Sequence, residues 1–191
     1  MKRLVFFVSM IFVLFSCASS KKVTQAEIDN LNALIQGKSF EIVSEWAEPQ
    51  VTNSMIQIAN AGMLPVGSNV GSINLTGNNN FLKMEGDTVS ASLPFFGERQ
   101  MGGSYGGTDI GVKFKGVPKK MNVTESKANS YKIKFSINDK ESPSENYNVT
   151  VQVYPSLSTT IYVNSSHKSP IRYRGRVLNK TSKENKTRNN K

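Results

Sequence analysis

The sequence predicts a mainly β domain: about eight antiparallel strands in a meander, forming a curled sheet that is barrel-like or a sandwich, with one short N-terminal helix. Two observations carry this. Segment after segment alternates apolar and polar residues, the mark of antiparallel strands with one buried and one wet face. Only one segment has clear helical spacing. The chain has 191 residues, 38% apolar and 20% charged, which suits a single packed domain rather than a disordered chain. We place that domain at residues 24–178.

The first segment reads as a signal. Met1-Lys2-Arg3 is followed by an apolar run from Leu4 to Phe15, interrupted only by Ser9. A membrane-spanning helix needs about 20 apolar residues, so this run suits a signal-peptide core instead. It ends in Leu14-Phe15-Ser16-Cys17, which resembles a bacterial lipobox with Cys at the cleavage point. Residues 1–16 are therefore expected to be removed. Cys17, the only cysteine, is the expected lipidation site, acylated with chains such as palmitate. Residues 17–23 are the tether. Two or three acyl chains hold a protein stably to a bilayer without spanning it. No Asp follows Cys17, so the outer membrane is expected, on its periplasmic face.

The formal charge of +10 divides unevenly. Residues 17–167 hold 13 basic and 13 acidic side chains, whereas residues 168–191 hold nine basic and one acidic. The basicity belongs to the chain's end, and residues 179–191, which contain no apolar residue, read as a solvated basic tail. With an export signal, that places nucleic acid outside the expected partners. Anionic envelope polymers or lipid headgroups are the candidate counterparts of the positive charge.

Thr24-Gln25-Ala26-Glu27 forms a capping box, and Ile28, Leu31, Leu34 and Ile35 follow on one helical face. Gly37 is positioned to supply a left-handed stop. Phe40, Ile42 and Trp46 share a period of two, which predicts a strand over residues 39–47. Residues 49–71 mix apolar residues with Pro and Gly and read as ambiguous. Phe81 to Leu93 then specify a hairpin: Gly86-Asp87 suits a type II′ turn, and the register pairs Met84 with Val89 and Leu82 with Ala91. Further alternating sets are Val112 and Phe114; Tyr131, Ile133, Phe135 and Ile137; Tyr147, Val149, Val151 and Val153; Ile161 and Val163; and Ile171, Tyr173 and Val177.

Leu93-Pro94-Phe95-Phe96-Gly97 closes one strand, and a Gly-rich loop ending in Gly106-Gly107 precedes the strand from Gly111 to Lys115. Val163-Asn164-Ser165-Ser166 and Ile171-Arg172-Tyr173-Arg174-Gly175 stand near the end. This order resembles the small envelope lipoproteins grouped as domain of unknown function 4251, over residues 38–178. Their turn reads Leu-Pro-Tyr-Phe-Gly; Phe95 stands in the tyrosine's place and brings no hydroxyl. The resemblance implies a signal-anchored, strand-rich domain and no assigned activity.

Chemistry-bearing motifs are few. His167 is the sole imidazole, and no Gly-x-Ser-x-Gly elbow accompanies it. No spacing suggests a metal site or a cofactor, so the chain is not read as an enzyme. The loop Gly102-Gly103-Ser104-Tyr105-Gly106-Gly107 lacks the Lys-Ser/Thr of a phosphate-binding loop. Phe95, Phe96 and Tyr105 are candidates for an apolar ligand mouth, against the alternative of a turn with core aromatics. Arg172, Arg174 and Arg176 form a cationic stripe, read either as an anion-binding site or as edge protection. Asp87-Thr88-Val89 resembles an Asp-Thr-aliphatic O-glycosylation sequon, with Thr88 as acceptor. Two function classes follow: a non-catalytic structural or interaction protein displayed on its lipid anchor, or a carrier for an amphiphilic or anionic ligand.

Overall fold

The computed structural model describes residues 23–101 and 111–178. Helix α1 (Gln25–Gln36) starts where the capping box places it: Thr24 Oγ1 accepts from Glu27 N, and Thr24 N donates to Glu27 Oε2 at 2.8 Å. The stop differs from the sequence expectation. Gly37 stays right-handed at φ −69° because its N–H continues the helical pattern to Ala33 O at 2.9 Å. Lys38 takes the left-handed step instead, at φ 44°. Lys38 is held there from two sides: its carbonyl accepts from Gly86 N, and its Nζ pairs with Asp87 at 2.8 Å.

Ten antiparallel strands follow: β1 (Ser39–Pro49), β2 (Ile73–Asn74), β3 (Phe81–Glu85), β4 (Thr88–Leu93), β5 (Val112–Gly116), β6 (Lys119–Ser126), β7 (Ser130–Asn138), β8 (Asn146–Val153), β9 (Ser158–Ser165) and β10 (Ile171–Leu178). A short helix, α2 (Asn53–Asn60), occupies the stretch that read as ambiguous. Strands β3 to β5 form one run of hairpins and β6 to β10 another. Strand β1 joins them, pairing β10 on one side and β3, with β2, on the other.

The two margins of this sheet are β5 and β6, yet only Val117 and Pro118 separate them in the chain. The sheet must therefore curl back on itself. Strand β5 meets β7 and β8 across the interior: Lys140 N, just after β7, donates to Lys113 O at 2.9 Å, and the Phe114 ring lies 5.9 Å from Phe135 and 6.0 Å from Tyr147. The result is a curled half-barrel whose inner face is the core.

The alternating sets fill that core. Leu82, Met84, Val89 and Ala91 are buried in the expected hairpin register, and Gly86 alone of the two turn residues has positive φ, at 61°. Val149, Val151, Val153, Ile161, Val163, Ile171, Tyr173 and Val177 line the same interior. Helix α1 adds Leu31 and Ile35 at the end where β1 begins, and Asn32 accepts from the Tyr131 hydroxyl at 2.9 Å. Helix α2 follows the other end of β1. An eleven-residue strand spans roughly 33 Å, so the two helices mark opposite ends of the sheet.

Strands β2 and β6 add to the expected count, and β1 departs from its expected pattern. Strand β6 pairs only with β7 and is exposed on both faces for most of its length, so it has no alternation to read. In β1 the register shifts between Ser44 and Trp46. This bulge breaks the period of two: Trp46 lies opposite Arg174 on the outer face rather than beneath Phe40 and Ile42. Gly175 is what lets the backbones approach there, since a Cβ on it would sit 2.0 Å from Val43 O.

Candidate functional site

The outer face of β1, β10 and β9 carries the arginine stripe. Arg172, Arg174 and Arg176 point outward, as alternation requires, while Tyr173 and Val177 point in. The stripe is not bare. Glu48 uses both carboxylate oxygens, one on Arg172 Nε and the other on Arg174 Nε at 2.5 Å. Glu45, the residue of the bulge left without a partner on β10, pairs with Arg176. A single cross-strand row runs Glu48, Arg172, Tyr162 and Thr150. Hydrogen bonding with Tyr162, and then the Glu48 carboxylate, hold the Arg172 guanidinium above its ordinary value against desolvation.

At the far end from α1 this face sinks into an open groove of about 460 Å³. Tyr162, Asn164 and Arg172 come from β9 and β10; Glu48, Gln50 and Val51 come from β1 and the chain after it. Sequence reasoning found the arginines but not Glu45 or Glu48. Those partners lie over 120 residues away and become neighbours only through the β1–β10 pairing.

A second cluster lies inside, at the same far end. Glu145 and Lys168 are 1% and 3% exposed and pair at 3.1 Å. Glu145 also accepts from Ser165 Oγ at 2.7 Å and from Arg99 Nη2 at 3.2 Å. Lys168 Nζ donates to the Tyr147 hydroxyl and to Gly111 O, both at 2.9 Å. Tyr147 in turn donates to Asp139 Oδ2 at 2.6 Å. The ammonium also lies 5.3 Å from the centre of the Tyr147 ring and 5.8 Å from that of Phe95.

The surroundings shift two of these groups in opposite directions. Burial, then hydrogen bonding to Asp139, pushes the Tyr147 phenol far up, so it stays protonated. Burial works against the Glu145 carboxylate, but hydrogen bonds from Ser165 and Lys168 and the Lys168 charge together hold it below the usual carboxylate range. Through these bonds the network clamps together the chain after β7, the start of β8, the turn after β9 and the segment at Arg99.

The clamp positions the turn that the sequence singled out. Pro94 O accepts from the buried Tyr173 hydroxyl at 2.9 Å, and burial pushes that phenol up as well. Phe95 and Phe96 are half-buried against the core. Gly97 passes so close to Ser169 that a Cβ would lie 2.5 Å from Ser169 Oγ. Glu98 and Ser169 exchange hydrogen bonds, with Glu98 N donating to Ser169 Oγ at 3.1 Å and Ser169 N to Glu98 O at 2.9 Å.

The remaining candidates are scattered. Thr88 is half-buried at the hairpin beside Asp87, whose carboxyl the Lys38 hydrogen bond holds below its ordinary value. His167 Nδ1 lies 2.7 Å from Ser166 Oγ. Cys17, Tyr105 with its Gly-rich loop, and the basic tail lie outside the described residues. Among the described residues, no group of three or more His, Cys, Asp or Glu could hold a metal, and no helix is long and apolar enough to cross a membrane.

No curated protein matches the chain. A crystal structure of a DUF4251 family protein from Bacteroides eggerthii DSM 20697 shares its fold, with a TM-score of 0.51 and 13% identity over 80% of this chain and 87% of that one. The family model "Domain of unknown function (DUF4251)" matches residues 22–177, which takes in α1, α2, β1 to β9 and all but the last residue of β10, with the arginine–glutamate face and the buried clamp, and the chain belongs to that family.

Proposed function

We propose that this protein is a lipid-anchored envelope protein that binds through the outer face of β1, β9 and β10 and performs no catalysis. The observation that carries the reading is how the polar groups are divided. The buried titratable side chains Glu145, Lys168, Tyr147 and Asp139 satisfy one another and hold loops in place. The outward face keeps half-exposed arginines, an exposed tyrosine and an open groove. Conserving charge inside and presenting chemistry outside suits a binding module better than a reaction site.

The anchoring half of the reading rests on the lipobox at residues 14–17. Acylated Cys17 holds the chain on the outer membrane, on its periplasmic side. The tether leads into α1, and the groove lies at the other end of the half-barrel, roughly 33 Å of strand away. Thr88, at a hairpin tip, is the proposed site of an O-linked glycan.

Native mass spectrometry of the protein, extracted gently from its own membrane, tests these points together. The expected spectrum begins at Cys17, carries acyl mass and carries one glycan. A chain beginning at Met1, or without acyl mass, overturns the anchoring. A lipidated mass with no sugar removes the modification at Thr88. Crosslinks or retained ligand mapping away from β1, β9 and β10 overturn the binding face.

A further inference from the structure

We infer that the groove beside Tyr162 binds an uncharged saccharide chain. The inference rests on the binding-face reading and names the ligand class for it. The groove's charges decide first against an anion. Glu48 already sits on Arg172 and Arg174, so an incoming anion meets a carboxylate as well as the guanidinium groups. The chain that completes the groove is neutral: residues 49–82 contain no Asp, Glu, Lys or Arg. Gln50 and Val51 enter from that segment.

The groove's surface decides next. Tyr162 is 41% exposed in the middle of a sheet face, where its neighbours along the strand, Thr160 and Asn164, are polar. A pyranose ring has an apolar C–H face and a rim of hydroxyls. An exposed aromatic ring with a polar tip matches the first. Planar side chains that can both donate and accept match the second: the amides of Asn164 and Gln50, and the paired Glu48 and Arg172. A purely apolar ligand would cover the amides of Asn164 and Gln50 without bonding them, which is costly. An extended peptide favours an open strand edge, whereas Tyr162 and Arg172 sit on β9 and β10, each paired on both sides. At about 460 Å³, with an open mouth, the groove accepts a short stretch of a longer chain.

The molecule carries its own reporter. Trp46 is the only tryptophan and lies two residues from Glu48, opposite Arg174. Detergent-solubilised full chain is titrated with maltohexaose, cellohexaose and chitohexaose, and with oligogalacturonate of matching length as the anionic counterpart. Binding is read by Trp46 emission and by calorimetry. We expect saturable binding of at least one neutral oligosaccharide and weaker binding of oligogalacturonate. Tyr162→Ala should weaken it about tenfold, the scale of one aromatic contact, while Tyr162→Phe keeps most of it. Asn164→Ala serves as a second lesion on an exposed side chain. Glu48→Gln should raise affinity for oligogalacturonate.

Failure of every neutral saccharide overturns the inference, as does binding indifferent to both Tyr162→Ala and Asn164→Ala, or a wild-type preference for oligogalacturonate. If no saccharide binds but crosslinks or retained ligand still map to β1, β9 and β10, the saccharide falls and the binding face stands.

Discussion

The two ion-pair clusters of this protein use the same ingredients for opposite ends. On the outer face, Arg172 and Arg174 are 47% and 52% exposed and share Glu48. Inside, Glu145 and Lys168 are almost wholly excluded from water and share their remaining valences with Arg99, Ser165, Tyr147 and Gly111. Water competes for the first set and not for the second. An exposed pair adds little to stability and can trade a partner for a ligand. A buried pair cannot replace a lost partner with water, so removing one member leaves a buried charge poorly compensated. Location, rather than residue type, leaves one cluster open to exchange with solvent or the proposed ligand and closes the other into the architecture.

Breaking the buried cluster should give the largest effect. Lys168→Ala leaves the Glu145 carboxylate in the interior with Arg99 and Ser165 as its remaining partners, and removes the donor to Gly111 O. A cost of about 3–5 kcal/mol is expected. Urea denaturation followed by circular dichroism measures it. A loss under about 1 kcal/mol would show that the clamp is as replaceable as a surface pair.

Gly175→Ala comes next. It tests the seam that creates the outer face, because the new Cβ would meet Val43 O at 2.0 Å and Ser44 Cα at 2.7 Å. Backbone cannot yield there as a flexible side chain could. About 3 kcal/mol is expected, the upper range for overpacking. Amide exchange should rise along β1 and β10 while β7 and β8 keep their protection. Uniform loss of protection would instead mean that the seam and the β7–β8 hairpin unfold as one unit.

Acid separates the clusters differently. Glu145 has a depressed pKa in the fold, so the stability it contributes is fully present above its ordinary value of 4.5 and is lost as pH falls through the lower, folded value. Stability should therefore fall below pH 4.5 in the wild type, and fall less steeply in Glu145→Gln, which starts lower at neutral pH. Parallel pH profiles for the two proteins would remove Glu145 from the acid response.

The sequence read one of these clusters in part and the other not at all, and the reason is geometric. Alternation along a strand is local, so it showed the hairpin at Gly86-Asp87, the inner faces of β7 to β10, and the outward arginines. The partners of those arginines depend on pairing the first strand with the last, a contact that no local pattern encodes. The bulge that moves Trp46 to the outer face is likewise a property of two strands. Lys168 and Glu145 escaped for another reason: lysine and glutamate are almost never fully buried unless paired, so each reads as a surface charge. Their signal was position, since both stand at strand ends where Ser, Asp and Pro crowd the turns. Strand β6 was hidden because an exposed edge needs no apolar face, and α2 because Pro and Gly interrupt its surroundings.

The smallest effect is the most informative about the outer face. Arg174→Ala removes one of two cations from Glu48 and leaves Arg172 in place. With half the guanidinium already in water, stability should drop by no more than about 1 kcal/mol, and by less as salt screens the pair. The ligand groove should respond more than the fold. Glu48, released from one partner, leans its full charge on Arg172 and leaves fewer guanidinium donors facing outward. Binding through Tyr162 would then survive with altered strength while the melting temperature scarcely moves. A stability loss comparable to that of Lys168→Ala would instead make the ladder a structural brace across β1 and β10, and the groove a by-product of that brace.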